Sequence, residues 1–339
     1  VDDARAVDLA GRTLLPGLID AHVHVTSTVP DFLRLAMSPA SLIAAQSKDI
    51  LEGMLARGFT TVRDAAGADH GLVEAVERGH FAGPRLLIAG QAISQTGRHG
   101  DVRPIGVRQN ILCSCAGLGL LGRIADGVGE VRRAAREQIR TGSHQIKVMA
   151  GGGVSSPTDP IDGTQYSMEE LRAICEEAEA ANTYVMAHAY SPRSIVRAMQ
   201  AAGRSLAPGN PPDEAAAKEM RKAGAWLVPT LVTYDSLARE GAKLGWPDVM
   251  LEKLERVRTA GIESLRIAKA AGVPIGFGTD LLGPMHDDQS NEFTIRLGAM
   301  SATEVLQSAT SVNARLLGRE GELGVVARGR TAHSSMPEL

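Results

Sequence analysis

Two histidines one residue apart, His22 and His24, close the apolar run LLPGLIDAHVHV at residues 14–25. In a β-strand alternate side chains share a face, so these imidazoles point one way while Val23 and Val25 point the other. That geometry suits a metal ion. Alone, the pair reads better as a strand end with two solvated or hydrogen-bonded histidines, so other ligands have to come from elsewhere in the chain. Three further apolar runs carry a suitable side chain: Lys147 in QIKVMA, His188 in TYVMAHA and Asp280 in PIGFGTD. Each has a plain structural explanation, as a snorkelling lysine, a hydrogen-bonded core histidine and a helix N-cap. Together they offer the imidazole and carboxylate ligands that zinc and similar ions take, and a catalytic site of this kind leaves one position open for water.

These side chains meet only if the runs that carry them stand side by side. Eight β-rich runs can be read: LIDAHVHV (18–25), TTVRDA (60–65), RLLIAG (85–90), QIKVMA (145–150), TYVMAHA (183–189), a degraded RSLAPG (204–209), AWLVPTL (225–231) and PIGFGTD (274–280). Helical patterns fall between most of them. VGEVRRAAREQIRTG has apolar residues at helical spacing and a closing glycine, and SMEELRAICEEAEAAN opens on a Ser-x-x-Glu capping box at Ser167 and Glu170. Eight strands alternating with helices predict a (β/α)8 barrel, whose active site lies at the C-terminal strand ends. The competing arrangement, an open doubly wound sheet, would carry a glycine-rich dinucleotide loop after its first strand, and none follows here. Strand parity adds Tyr190, which shares a face with Met186 and His188 and so points into the same mouth, able to donate to an oxyanion or a substrate carboxylate. Arg193, just beyond in AYSPR, is a weaker candidate for a substrate carboxylate.

Composition narrows the partner. The 339 residues are 44% hydrophobic and 22% charged, with a formal net charge of −3. Interspersed charge of that size lacks the basic patches that nucleic acid or an anionic membrane calls for, so a small-molecule substrate is expected. Cys113, Cys115 and Cys175 are too few and too irregular for a disulfide framework or a zinc knuckle, and are expected as free thiols in a reducing, cytoplasmic setting. No apolar run reaches the ~18 residues of a membrane span and no signal segment opens the chain. The opening VDDARAVDLAGRTLLPG reads as the tail of an earlier domain.

The segments LPGLIDAHVHV, GFTTVRDA, QTGRHGDVRP, QIKVMAGGGVSSPTDP, QYSMEELRAICEEAEA, YVMAHAYSPRSI, FGTD and ATSVNARLLG run in order across nearly the whole chain. They resemble the metal-dependent amidohydrolase superfamily, in its prolidase-like and imidazolonepropionase-related branch. The resemblance implies a TIM-type (β/α)8 barrel over 17–318, with 1–16 a remnant of an N-terminal β-domain, 319–339 an atypical truncated tail, and the small β-sandwich domain largely missing. It implies that His22 and His24 bind the more buried of two zinc-like ions, that Lys147 bridges both as a carboxylated lysine, that His188 binds the second, and that Asp280 binds the first and shuttles protons. The lysine modification has a physical rationale: an ammonium beside two cations is repelled, whereas a carbamate is a bidentate anion. The implied reaction is hydrolysis of an amide, in a dipeptide of X-Pro type or an N-acyl amino acid, by a metal-activated hydroxide. His99 of GRHGD approaches the substrate carbonyl in the resembling enzymes, and a homo-oligomer is the expected assembly.

One strand departs from the pattern. Where the superfamily has a histidine ligand at the end of the sixth strand, in a segment like GVRSIEHGNLLDE, this chain reads GRSLAPGNPPDE. Pro208 stands in the place of the histidine and Ala207 in that of a glutamate, and proline neither ligates a metal nor donates to a ladder. The second ion is therefore expected to be weakened, and an impaired or inactive metal-binding relative is the competing functional class. His286 in GPMHDD is the first substitute for the missing ligand, or else a substrate contact. Matching flanks, and a polar tail RGRTAHSSMPEL where strands should follow, point to short local disturbances, with reading-frame slips and real divergence as the two sources.

Overall fold

Strand β1 (Leu18–Val23) pairs in parallel with β2 (Phe59–Asp64), and β2 with β3 (Arg85–Leu87). The chain then bends into β4 (Ala92–Ser94), which is flanked by β5 (Gly122–Ile124) and β6 (Ile146–Met149). The parallel order continues through β7 (Val185–His188), β8 (Ser205–Leu206) and β9 (Trp226–Leu227). This computed structural model describes residues 8–108, 118–156, 159–209, 213–240, 243 and 245–328. The last run, 274–280, joins β9 back to β1: Leu227 bridges Ile275, Ala21 donates to the Phe277 carbonyl, and Thr279 and Asp280 both donate to the His22 carbonyl. The result is the expected α/β barrel, with β5 as an extra strand at its rim.

Three of the eight expected strands are reduced, the seventh to the pair Trp226–Leu227. β8 keeps only two residues because Pro208, with no N–H, cannot extend the ladder; its own carbonyl still accepts from Ala189. The eighth run makes a single bridge, yet lies closer to β1 than an ordinary strand could, since a Cβ on Gly278 would stand 2.9 Å from that of His22.

The helices that clad the barrel follow their local signals. Gly127–Arg140 buries Val131, Ala134, Ala135 and Gln138, a stripe at i, i+3, i+4 and i+7. Met168–Ala180 begins with the capping box, Ser167 and Glu170 each satisfying the other's backbone N–H. Two buried arginines tie the barrel together. Arg63, fully buried on β2, donates to the Ala21 carbonyl, the Tyr184 hydroxyl and Ser205 Oγ, so it links β1 to β7 and β8. Arg296 pairs with Glu292 at 2.6 Å and donates to the carbonyls of Gly276 and Pro229, holding the eighth run against the end of β9. Cys175 is a free thiol, whereas Cys113 and Cys115 lie outside the described residues. Among the described residues no helix is long and apolar enough to cross a membrane.

Candidate metal centre

β1 delivers His22 and His24 to the barrel mouth, and the eighth run delivers Asp280 opposite them in a left-handed conformation, φ 55°. His22 Nε2 lies 3.3 Å and His24 Nε2 3.1 Å from Asp280 Oδ1, and the three ligand atoms all fall within 4.8 Å of one another. Ligand atoms on a tetrahedral ion with bonds of about 2.0–2.1 Å stand roughly 3.3 Å apart, so each imidazole nitrogen already has the separation from Asp280 Oδ1 that a zinc-like ion needs. His24 Nδ1 is 3.0 Å from the Ala66 carbonyl, a contact that orients the ring so that Nε2 faces Asp280. The Nδ1 of buried His22 has no hydrogen-bond partner. Burial pushes its pKa down to about 3, so at neutral pH it presents an uncharged imidazole with an available lone pair. Burial would raise the Asp280 carboxyl, but the two imidazoles outweigh it and hold the pKa well below the usual range.

Behind this corner two carboxylates position it. Asp20 accepts from Thr279 Oγ1 at 2.6 Å, from Gln289 Nε2 at 2.9 Å and from the His22 backbone N–H, linking β1 to the residue before Asp280. Asp64, at the end of β2, accepts from the backbone N–H groups of Val25 and Ala68 and pins the turn after His24.

The opposite side of the cavity is arranged differently. Lys147 projects inward from β6, fully buried, and burial pushes its pKa down to about 7, so a substantial share is the neutral amine. Its Nζ donates to the Ala207 carbonyl at 2.5 Å. His188, ending β7, has Nε2 3.0 Å from the Gly152 carbonyl. His99 stacks on His188 with ring centroids 4.4 Å apart, and Tyr190 meets the same ring edge-on at 4.8 Å. Burial pushes His99 down to about 4, and its Nδ1 has no partner. Only glycine fits at 153, since a Cβ there would stand 2.0 Å from that nitrogen. The Tyr190 hydroxyl lies 2.9 Å from that of Tyr234.

Seven residues singled out in the sequence therefore line one cavity: His22, His24, His99, Lys147, His188, Tyr190 and Asp280. Two do not. Arg193 is exposed at the start of the helix Pro192–Gln200, and His286 is buried beside the Ser27 carbonyl, outside the cavity wall. Tyr234, Thr233 and Phe32 also line the cavity and escaped the sequence reading. Asp64 ends its strand as visibly as Asp280 does and could have been found the same way. Tyr234 sits inside the helix Leu231–Glu240, where strand parity says nothing.

Residues 13–334 match the amidohydrolase family, and the chain belongs to it. Among curated relatives it is 34% identical to ochratoxinase from Aspergillus niger over 316 residues, covering 88% of this chain but only 64% of that protein's length. It is 26% identical to imidazolonepropionase from Rhizorhabdus wittichii, over 97% of this chain and 80% of the relative. Among solved structures, a prolidase complexed with N-methylphosphonate-L-proline superposes with a TM-score of 0.95 at 52% identity, over 97% of this chain and 81% of the prolidase.

Proposed function

We propose that this chain is a metal-dependent hydrolase that cleaves the amide bond of a dipeptide, X-Pro included, or of an N-acyl amino acid. The observation that carries the reading is the convergence of His22, His24 and Asp280 at ligand spacing in a barrel mouth that Lys147, His188, His99 and Tyr190 share. The prolidase and ochratoxinase likenesses support the choice of an amide substrate. His22, His24 and Asp280 would hold a zinc-like ion, with Lys147 as its carbamate adding an anionic oxygen. When bound, such an ion polarises a carbonyl and lowers the pKa of water.

This chain's own groups do the rest. Asp280, ionised and half-shielded, takes a proton from the attacking water and passes it to the amide nitrogen as the C–N bond breaks. His99 and Tyr190 donate hydrogen bonds to the carbonyl oxygen as it gains charge; a neutral His99 can do so without repelling a cation next to it. The reading is tested by assaying amine release from X-Pro dipeptides and N-acyl amino acids with zinc, cobalt or manganese added back. Release above a His22→Ala control supports it, and none with any metal refutes it.

A second reading, an impaired relative that binds metal without turnover, is favoured by one observation. Lys147 Nζ is engaged by the Ala207 carbonyl, and the next residue, Pro208, offers no side-chain ligand. Metal stoichiometry together with turnover separates the two.

A further inference from the structure

Beside the metal cavity lies a second chamber of about 370 Å³, and Phe32, His99, Val102 and Ser155 form part of the wall of both. The two spaces therefore adjoin, with the second lying outward of the candidate ligands. The outer walls are apolar and aromatic: Phe32, Leu33, Pro104, Trp246, Pro247 and Met250. Ile105, at the same wall, is 93% exposed. The charged groups at the chamber are already occupied. Arg103 donates to both carboxylate oxygens of Asp101, and Lys253, from the helix Asp248–Ala270, donates to the carbonyls of Ser156 and Asp159. Asp31 on the rim caps its own helix and adds negative charge. Arg98, paired with Asp159 at 3.1 Å, fastens the loop after β4 to the loop after β6, so the walls are tied in place before any ligand arrives.

We infer that this chamber is the acyl subsite of the enzyme and selects an aromatic or similarly bulky, uncharged group on the carbonyl side of the scissile amide. The inference rests on the amide-hydrolase reading above. A free carboxylate has no unengaged cation to meet here among the described residues and would face Asp31, so the uncharged acyl half of the substrate suits this chamber better than the charged half. An aromatic ring is a good match in size, because a cavity of ~150 Å³ takes benzene and this chamber is larger. Stacking against Trp246 and Phe32 adds to the burial of the ring.

Two measurements on the full chain test this. The first compares kcat/KM for N-benzoyl and N-acetyl derivatives of the same amino acid. The benzoyl compound should be preferred by about tenfold or more, and Trp246→Ala should bring the ratio close to one, with Met250→Glu as a second variant should the first fold poorly. The second follows binding without turnover. The chain holds two tryptophans, so Trp226→Phe leaves Trp246 as sole donor for energy transfer to dansylglycine, a sulfonamide with no amide to cleave. Transfer should saturate, and Met250→Glu should abolish it. Saturable transfer with no hydrolysis of any amide would overturn the hydrolase reading and leave the chamber standing. Hydrolysis with equal rates for the two acyl groups, or no saturable transfer, would overturn the subsite.

Discussion

The two sides of the cavity hold the same kinds of residue in different states. On one side His22, His24 and Asp280 already stand 3.1 and 3.3 Å apart, with His24 fixed by Ala66, Asp20 bound to Thr279 and Asp64 holding the turn. On the other, Lys147 is tied to the Ala207 carbonyl and His188 to the Gly152 carbonyl, and the sixth strand contributes a proline. The first corner brings three candidate ligands together, whereas in the second the lysine is held by a backbone carbonyl and the sixth strand offers a proline. Ligand identity alone does not make a site; the groups behind each ligand decide whether its lone pair is available.

The largest effect is expected where the organised corner is removed. Replacing His22 and His24 together with alanine should reduce bound metal, measured by elemental analysis, to under about a tenth of the parent's content and abolish hydrolysis, since two of a few ligands are lost. Retention of the parent's metal content would break the comparison. Lys147→Ala should lower kcat/KM by about 10²–10³-fold, the range seen when one preorganised polar group is removed, and a short carboxylic acid in the buffer should restore part of it by standing in for the carbamate. No rescue, with activity intact, would remove Lys147 from the site.

Much of the organised corner was legible in the sequence because it obeys short-range rules. The two-residue period put His22 and His24 on one face, and Asp280 closes an apolar run just as a barrel strand end should. The capping box at Ser167 and Glu170 and the stripe on Gly127–Arg140 were legible for the same reason. What stayed hidden depends on contacts distant in the chain: Tyr234 reaches the cavity from a helix, and the chamber walls come from residues near 32, 104 and 247 that only the folded barrel brings together. His99 became visible through resemblance alone, since GRHGD carries no strand or helix pattern. The sixth strand reads as degraded in the sequence, and two residues of ladder are what remain of it.

Smaller effects sharpen the comparison. Asp20→Asn keeps the volume but weakens the acceptor that binds Thr279 and Gln289, so metal affinity should fall about 10–100-fold with the fold intact, read by competition with a chelator. An unchanged affinity would mean that the corner does not depend on this carboxylate. Rebuilding the sixth strand, with Ala207→Glu and Pro208→His and replacement of Pro211 and Pro212, which lie outside the described residues, should raise metal content toward two ions per chain. The same changes should raise Tm by about 2 °C through one recovered ladder bond. Content that stays at the parent's level would show that the second corner is limited by more than its missing ligand.

Calorimetric titration of zinc into the chelator-stripped natural chain tests the asymmetry most directly. One ion per chain should bind tightly, and any second should bind at least about 100-fold more weakly, because its corner has a proline in place of an imidazole and its lysine held by a backbone carbonyl. Two ions of equal, tight affinity would contradict the account, as would no tight binding at all.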